Sequence, residues 1–348
     1  MKDEDEQRMP EENGGCVLGD QLHKGLTIRG VFEMWLAAAR KEVNAASYAN
    51  YERIVRRHIL PRLGEAVVDY LTVADIRDFL DERLRSGRMD GKGGLSRKTV
   101  ADISRVLNAG LKLVNWDPAL SDGGRIFVKS MHPKRDTDTL TDRQAAALTE
   151  YLTENLDRSN AGFLLCLYTG IKLSEICALR DSDFLLEEDR LQVRRTLQRV
   201  TMRQSTDEPD GSGGRQDTVA YDPGDSGYRD LALATGLSML LWTLLRGGDG
   251  TAYFLTGTDE QPLGPRTYQY RFQSMLSSCG LPQTVNFHML RHTFALMWMS
   301  GGGEIGALSR ALGHGSIKTT QARYEGLLQT AEPIAPDHAK LICPSAVQ

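Results

Sequence analysis

Hydrophobic positions recur at helical spacing from Thr27 onward. Val31, Trp35, Ala38 and Ala39 fall on one face, and Arg40 and Lys41 close the segment. Ser47 is placed to cap a second helix through Tyr51, Ile54 and Val55, ending near Ile59-Leu60-Pro61. Leu63-Gly64 marks a turn, and Leu71-Thr72 with Asp75 opens a third helix through Ile76, Phe79 and Leu80. A Gly-rich loop from Ser86 to Gly94 leads to Ser96, which caps a fourth helix through Val100, Ile103, Val106, Leu107, Leu111 and Leu113.

A polar connector with Pro118, Gly123-Gly124 and Pro133 interrupts this pattern, and a new helix start follows at Thr139-Leu140-Thr141-Asp142-Arg143-Gln144. Helices are expected over 141–155, 160–169 and 172–179. Leu191 to Leu197 alternates as a strand, with Arg229 to Leu233 as its hairpin partner. The acidic, Gly-rich stretch from Gln204 to Ser226 reads as a long loop, and the chain is helical again from about 235 to 330. The expected fold is mainly α: an N-terminal four-helix domain, then a mixed, mostly helical domain with a small antiparallel sheet. The expected boundaries are an acidic disordered tail (1–25), a first domain (26–118), a linker (119–138), a second domain (139–330) and a C-terminal tail (331–348).

Composition fits a globular protein, with 41% hydrophobic and 25% charged residues. No apolar run approaches the ~20 residues of a membrane span, and the charged start Lys2-Asp3-Glu4-Asp5-Glu6 is unlike a signal peptide. The 5 cysteines form no Cys-x-x-Cys pair, which points to a reducing cytoplasm and away from a disulfide framework or a zinc site. The net charge of −4 argues at first against a nucleic-acid binder, yet its distribution is uneven. Residues 26–135 carry 20 Lys and Arg against 13 Asp and Glu, a net of +7, so the first domain is basic enough to select a phosphate backbone.

The candidate chemistry lies in the second domain. His288 and Arg291 are three residues apart, and so share one face of a helix. Leu312-Gly313-His314 follows, and Tyr324 comes ten residues after His314. A phenol, imidazoles and a guanidinium suit attack on a phosphodiester by a tyrosine, with the developing charge stabilised by side chains. His292 reads as a packing or supporting residue. A metal-dependent nuclease fits poorly, because no Asp/Glu cluster accompanies the histidines. Upstream, Thr169-Gly170-Ile171-Lys172-Leu173-Ser174-Glu175 begins a helix, with Gly170 breaking the one before.

This series, in this order, resembles the tyrosine recombinase (phage integrase) family across about residues 27–330. The box at 169–175 matches the family's Thr-Gly-x-Arg-x-Ser-Glu except that Lys172 stands where the family has its first catalytic arginine. The resemblance implies that the four-helix region is a core-binding (SAM-like) domain forming the upper half of a clamp around double-stranded DNA. Arg97, Lys98 and Thr99 are the expected DNA contacts. It implies Tyr324 as nucleophile, Arg291 on the non-bridging phosphate oxygens, and His288 and His314 assisting charge stabilisation and proton transfer. No metal, cofactor or ATP is called for. A lysine retains charge at position 172 but loses the two-pronged geometry of a guanidinium, which should slow the reaction by about 10²–10³.

The family also usually places a lysine on the hairpin before the strand at Arg229; here those positions are Pro223, Gly224 and Asp225, and no lysine occurs between Lys172 and Lys318. Either an arginine such as Arg203 or Arg215 replaces it, or that acid is missing. The implied partners are attachment or element-end DNA and other copies of the chain in a tetramer, joined through a C-terminal segment containing Leu327-Leu328, Ile334 and Leu341-Ile342. The resemblance leaves room for DNA-bending or directionality factors, and implies a cytoplasmic, nucleoid-associated protein with no membrane role. The implied function is a site-specific recombinase of a phage or mobile element. The competing readings are a DNA-binding protein that keeps the clamp without catalysis, and a type IB-like topoisomerase.

Overall fold

The computed structural model describes residues 25–116, 139–203, 214–221, 227–248 and 250–324. The chain divides into two compact units. The tail read for residues 1–25, apart from Gly25, the linker at 119–138 and the tail at 331–348 lie outside the described residues.

In the first unit, α1 (Ile28–Glu42) starts at Thr27, whose hydroxyl accepts from the Gly30 amide. The amides of Ile28 and Arg29 donate to the carbonyls of Ala66 and Gly64 at 2.9 Å, so two donors that a helix start leaves free are satisfied by the turn beyond the next helices. The cap of α2 (Ala45–Ile54) is Asn44, whose side chain accepts from the Ser47 amide at 2.8 Å. Ser47, the expected cap, is already the third helical residue. The chain also continues past Ile54, through a π-helical turn at Val55–Ile59 into α3 (Leu60–Leu63). Pro61, which has no amide to donate, falls directly after that π-helical turn, where the regular i to i−4 ladder is already interrupted.

α4 (Val73–Ser86) opens with the reciprocal Thr72–Asp75 capping box, and α5 (Arg97–Lys112) opens at Ser96, both as read from sequence. The apolar stripes of these helices meet in one core, where Trp35 packs on Phe32 and Tyr51 with ring centroids 5.9 and 5.2 Å apart. Arg97 and Lys98 are exposed on the first turn of α5, and Thr99 is half-buried with its hydroxyl 2.9 Å from that of Ser96.

The second unit begins with α6 (Asp142–Glu154), α7 (Arg158–Thr169) and the short α8 (Leu173–Ile176). The helix expected over 172–179 is thus four residues long; the chain then turns into a 3₁₀ segment at Asp181–Asp183. β1 (Phe184–Leu185) and β2 (Arg190–Val193) follow, and β2 pairs antiparallel with β5 (Arg229–Ala232), Leu191 facing Leu231. The expected pairing is present, but the strand breaks after Val193. β3 (Thr196–Arg203) pairs instead with β4 (Gly214–Tyr221), which lies inside the stretch read as loop, and residues 200–215 are grouped with the first unit. Alternation continues past the break, so periodicity alone does not mark where one sheet ends.

The unit closes with α9 (Thr235–Leu245), α10 (Pro265–Leu276), α11 (Phe287–Ser300), α12 (Ile305–Leu312) and α13 (Ile317–Tyr324). α7 and α11 are apolar almost all round and pack on each other, which makes them the centre of the domain. Phe163 stacks on Tyr268 at 4.5 Å and meets Phe272 and Phe287 edge-on. The one polar end of this cluster, the Tyr268 hydroxyl, donates to the Ser159 carbonyl at 2.7 Å. No described helix is long and apolar enough to cross a membrane.

Candidate active site

Two left-handed glycines shape the site. Gly170 ends α7 with φ +65° and Gly313 ends α12 with φ +63°. Each leaves its carbonyl free for a cation. Arg291, on the first turns of α11, donates from one terminal nitrogen to Gly170 O at 2.6 Å and from the other to Leu312 O at 2.7 Å. Lys172 Nζ donates to Gly313 O at 3.2 Å. Neither turn has space for a larger residue: a Cβ on Gly170 would lie 2.4 Å from Phe294, and one on Gly313 would lie 2.8 Å from the Arg229 guanidinium.

Arg291 is 4% exposed, yet both carbonyls face it as acceptors. Burial pulls it down to about 10, with the charges of Tyr324 and Glu175 opposing, and it stays cationic at neutral pH. Its second terminal nitrogen also lies 3.1 Å from His314 Nε2. A guanidinium can only donate, so Nε2 accepts, and His314 must carry its proton on Nδ1, which donates to the Thr320 hydroxyl at 2.7 Å. Thr320 has no exposed surface, so the imidazole is clamped between α13 and Arg291.

Lys172 keeps 43% of its side-chain surface. Burial draws its ammonium below the ordinary lysine value; Glu175 opposes this, while Arg291 and Arg229 add to it. Glu175 lies 3.8 Å from Nζ, but its main partner is Arg229, which donates two parallel bonds at 2.9 and 2.7 Å. The carboxylate also accepts the Lys172 amide at 2.9 Å, which fixes the start of α8. Burial would raise the Glu175 carboxyl, but the Arg229 bonds and charge, with Lys172, outweigh it and hold the group below the usual range. Arg229 reaches further, to Ala311 O at 2.7 Å, and so joins β5, α8 and the end of α12.

His288 is exposed at the start of α11, where Asn286 accepts its amide at 3.0 Å. Lys172, His288 and Arg291 line one cleft of about 580 Å³, together with Ser174, Arg266 and Gln269. Tyr324 does not line it. This tyrosine is 1% exposed, and its hydroxyl is 2.9 Å from His292 Nδ1. Burial raises the phenol above its usual value, with Arg291 and Arg323 pulling it back. His292 meets the edge of His288 at a centroid distance of 4.7 Å.

The residues named from sequence therefore gather around α11: three on the cleft, His314 bound to Arg291, and Tyr324 bound to His292. Sequence reasoning gives no task to Glu175, Arg229 or Thr320, and treats His292 as support. An acid three residues after Lys172 is the one available signal for the ion pair. The expected hairpin positions Pro223, Gly224 and Asp225 lie outside the described residues, as do the side chains of Arg203 and Arg215. Among the described residues, no group of three or more His, Cys, Asp or Glu side chains is placed to hold a metal ion.

Residues 27–84 match the N-terminal SAM-like domain of phage integrases, and residues 224–329 match the phage integrase family. The chain is 29% identical over 320 residues to tyrosine recombinase XerC of Agrobacterium fabrum, covering 85% of this chain and 89% of that one. Its fold is that of the Tn1549 transposon integrase in complex with transposon right end DNA, at a TM-score of 0.62 and 22% identity, over 88% of this chain and 100% of the other. It is also similar to a lambda integrase tetramer bound to a Holliday junction, at a TM-score of 0.54 and 15% identity, over 86% and 77% of the two chains. Both units are thus matched, with the motif residues gathered on α11: the chain matches the tyrosine recombinase, or phage integrase, family in its N-terminal SAM-like and its catalytic domain.

Proposed function

We propose that this protein is a site-specific DNA recombinase that cleaves through a 3′-phosphotyrosine formed by Tyr324. The observation that carries the reading is the convergence of Lys172, His288 and Arg291 on one cleft, with His314 on Arg291 and Tyr324 bound to the same helix. In this reading a scissile phosphate sits in the cleft, its non-bridging oxygens on Arg291 and the Lys172 ammonium. The phenolic oxygen attacks phosphorus and loses its proton, the bond to the 5′-oxygen breaks, and that oxygen leaves as a protonated hydroxyl. The ester keeps the bond energy for rejoining, so no nucleotide is consumed. Positioning and fixed charge supply most of the acceleration.

His314 acts in two ways. Its Nε2 steadies Arg291 in the free protein, and a turn of the guanidinium towards phosphate would free this accepting nitrogen to take up a proton displaced in the reaction. Lys172 supplies charge without the flat double donor of an arginine, and the rate should fall by about 10²–10³ relative to an arginine there. Arg97, Lys98 and Thr99 at the start of α5 are suited to backbone phosphates. The working assembly would be a tetramer that exchanges strands through a four-way junction, as the lambda integrase neighbour forms on a Holliday junction.

A second reading, a DNA-binding protein of this fold without catalysis, is favoured by Lys172 and by the burial of the Tyr324 hydroxyl against His292. Covalent capture on nicked suicide duplexes built from the ends of its element separates the two. The recombinase reading expects an adduct that vanishes with Tyr324→Phe and grows strongly with Lys172→Arg. Sequence-specific binding with no adduct, even after Lys172→Arg, would leave only the second reading.

A further inference from the structure

The Tyr324 hydroxyl must direct its hydrogen somewhere, and the surroundings fix where. Arg291 and Arg323 face the phenol as cations, and guanidinium groups only donate. Neither can take the hydrogen of the phenol. Among the described residues, the acceptor within hydrogen-bond distance is His292 Nδ1, 2.9 Å away, with the imidazole and phenol rings 5.7 Å apart and inclined at 60°. The phenol therefore donates to Nδ1, and His292 carries its own proton on Nε2.

We infer that His292 is the positioning residue of the nucleophile: it holds the hydroxyl hydrogen of Tyr324, and this turns the oxygen's lone pairs towards Arg291. Arg291 also lines the cleft, so the same rotation points the attacking orbital at the side where a phosphate would be held. The inference rests on reading Tyr324 as the nucleophile.

His292 is suited to this task because it stays neutral. Burial, followed by the charges of His288, Arg323, Arg291 and His314, lowers it to about 3. An imidazole that resists protonation offers Nδ1 as an acceptor throughout the physiological range, whereas a protonated one would repel the hydroxyl hydrogen. The same property makes it a poor base for the phenol, whose own value is raised. His292 thus orients the proton and does not remove it. Its place one residue after Arg291 on α11 means that phosphate grip and nucleophile aim are set by neighbouring side chains of a single rigid helix.

The test uses the full chain with His292→Asn, whose side-chain oxygen falls close to where Nδ1 lay, and His292→Phe, which fills the space without an acceptor. Each is compared in DNA affinity, in single-turnover adduct formation on the nicked duplex, and in the ¹⁹F resonance of 3-fluorotyrosine placed at residue 324. With phenylalanine, adduct formation should fall about a hundredfold at unchanged DNA affinity, and the fluorine resonance should move. Asparagine should restore most of the rate and the resonance position. Parent-like cleavage by His292→Phe, or an unmoved resonance, overturns the inference. Should His292→Phe fail to fold, a folded, DNA-binding His292→Asn protein with a hundredfold defect overturns it equally. If the parent and Lys172→Arg proteins form no adduct, the recombinase reading fails, while the fluorine shift still reports on the hydrogen bond.

Discussion

Arg291 reaches across 121 residues of sequence to donate to the carbonyl of Gly170 at 2.6 Å. That hydrogen bond ties the end of α7 to the start of α11, and it needs Gly170 in the left-handed conformation to present its oxygen. The geometry of the guanidinium is thus set by a turn that carries no chemical group of its own.

Gly170→Ala should therefore be costly twice over, through its φ of +65° and through a Cβ 2.4 Å from Phe294. A loss of about 2–4 kcal/mol in urea unfolding, at unchanged m-value, is expected from strain plus overpacking. A loss below about 0.5 kcal/mol, the scale of an inconsequential surface change, would show that the turn can relax.

Glu175→Gln would leave the Arg229 guanidinium buried without its carboxylate. Removing one partner of such a pair costs about 3–5 kcal/mol. Replacing both, with Glu175→Gln and Arg229→Met, should recover part of that, and a thermodynamic cycle over the four proteins measures how much. Strict additivity of the two substitutions would sink the claim that they act as a pair.

Stability should fall as pH drops, in two windows. His292 has its folded value lowered to about 3 from 6.5, so the unfolded chain binds the extra proton first. Its contribution is complete above pH 6.5 and is lost progressively towards pH 3. Glu175 is held below 4.5, so its contribution is present above that value and is lost below it. Unfolding free energy measured from pH 7 to 5 should slope upward with pH in the parent and flatten in His292→Asn. An equal slope in both would remove His292 as the source.

Lys172→Met should weaken DNA binding in a salt-dependent way. Removing one cation from a backbone phosphate lowers the slope of log K against log salt by about 0.9. An unchanged slope would mean that the ammonium, bound to Gly313 O in the free protein, stays there on DNA.

Much of this architecture is legible in the sequence where local chemistry decides. The caps at Thr72 and Ser96 announce α4 and α5 because a hydroxyl or carboxylate there satisfies a nearby amide. The pairing of β2 with β5 follows from alternation, and Gly170 is legible as a helix stop. Position fails as a guide where partners are distant in sequence. Arg229 reads as an ordinary strand residue until β5 is placed beside α8, 54 residues earlier in the chain. His292 looks like packing until α13 brings Tyr324 back, 32 residues later. The cap at Asn44 escapes notice because Ser47 is an equally good capping type, and only backbone geometry separates them.

The Glu175–Arg229 pair has a last consequence, for how sequences of this kind drift. Because the buried carboxylate is neutralised by Arg229, the residue at 172 is released from any duty to balance it. A cation there can be exchanged, weakened or lost without leaving an orphaned charge in the core. Variation at position 172 can therefore tune the reactivity of the site while the protein remains folded, unlike variation at Arg291, whose guanidinium serves both the cleft and two buried helix-end carbonyls.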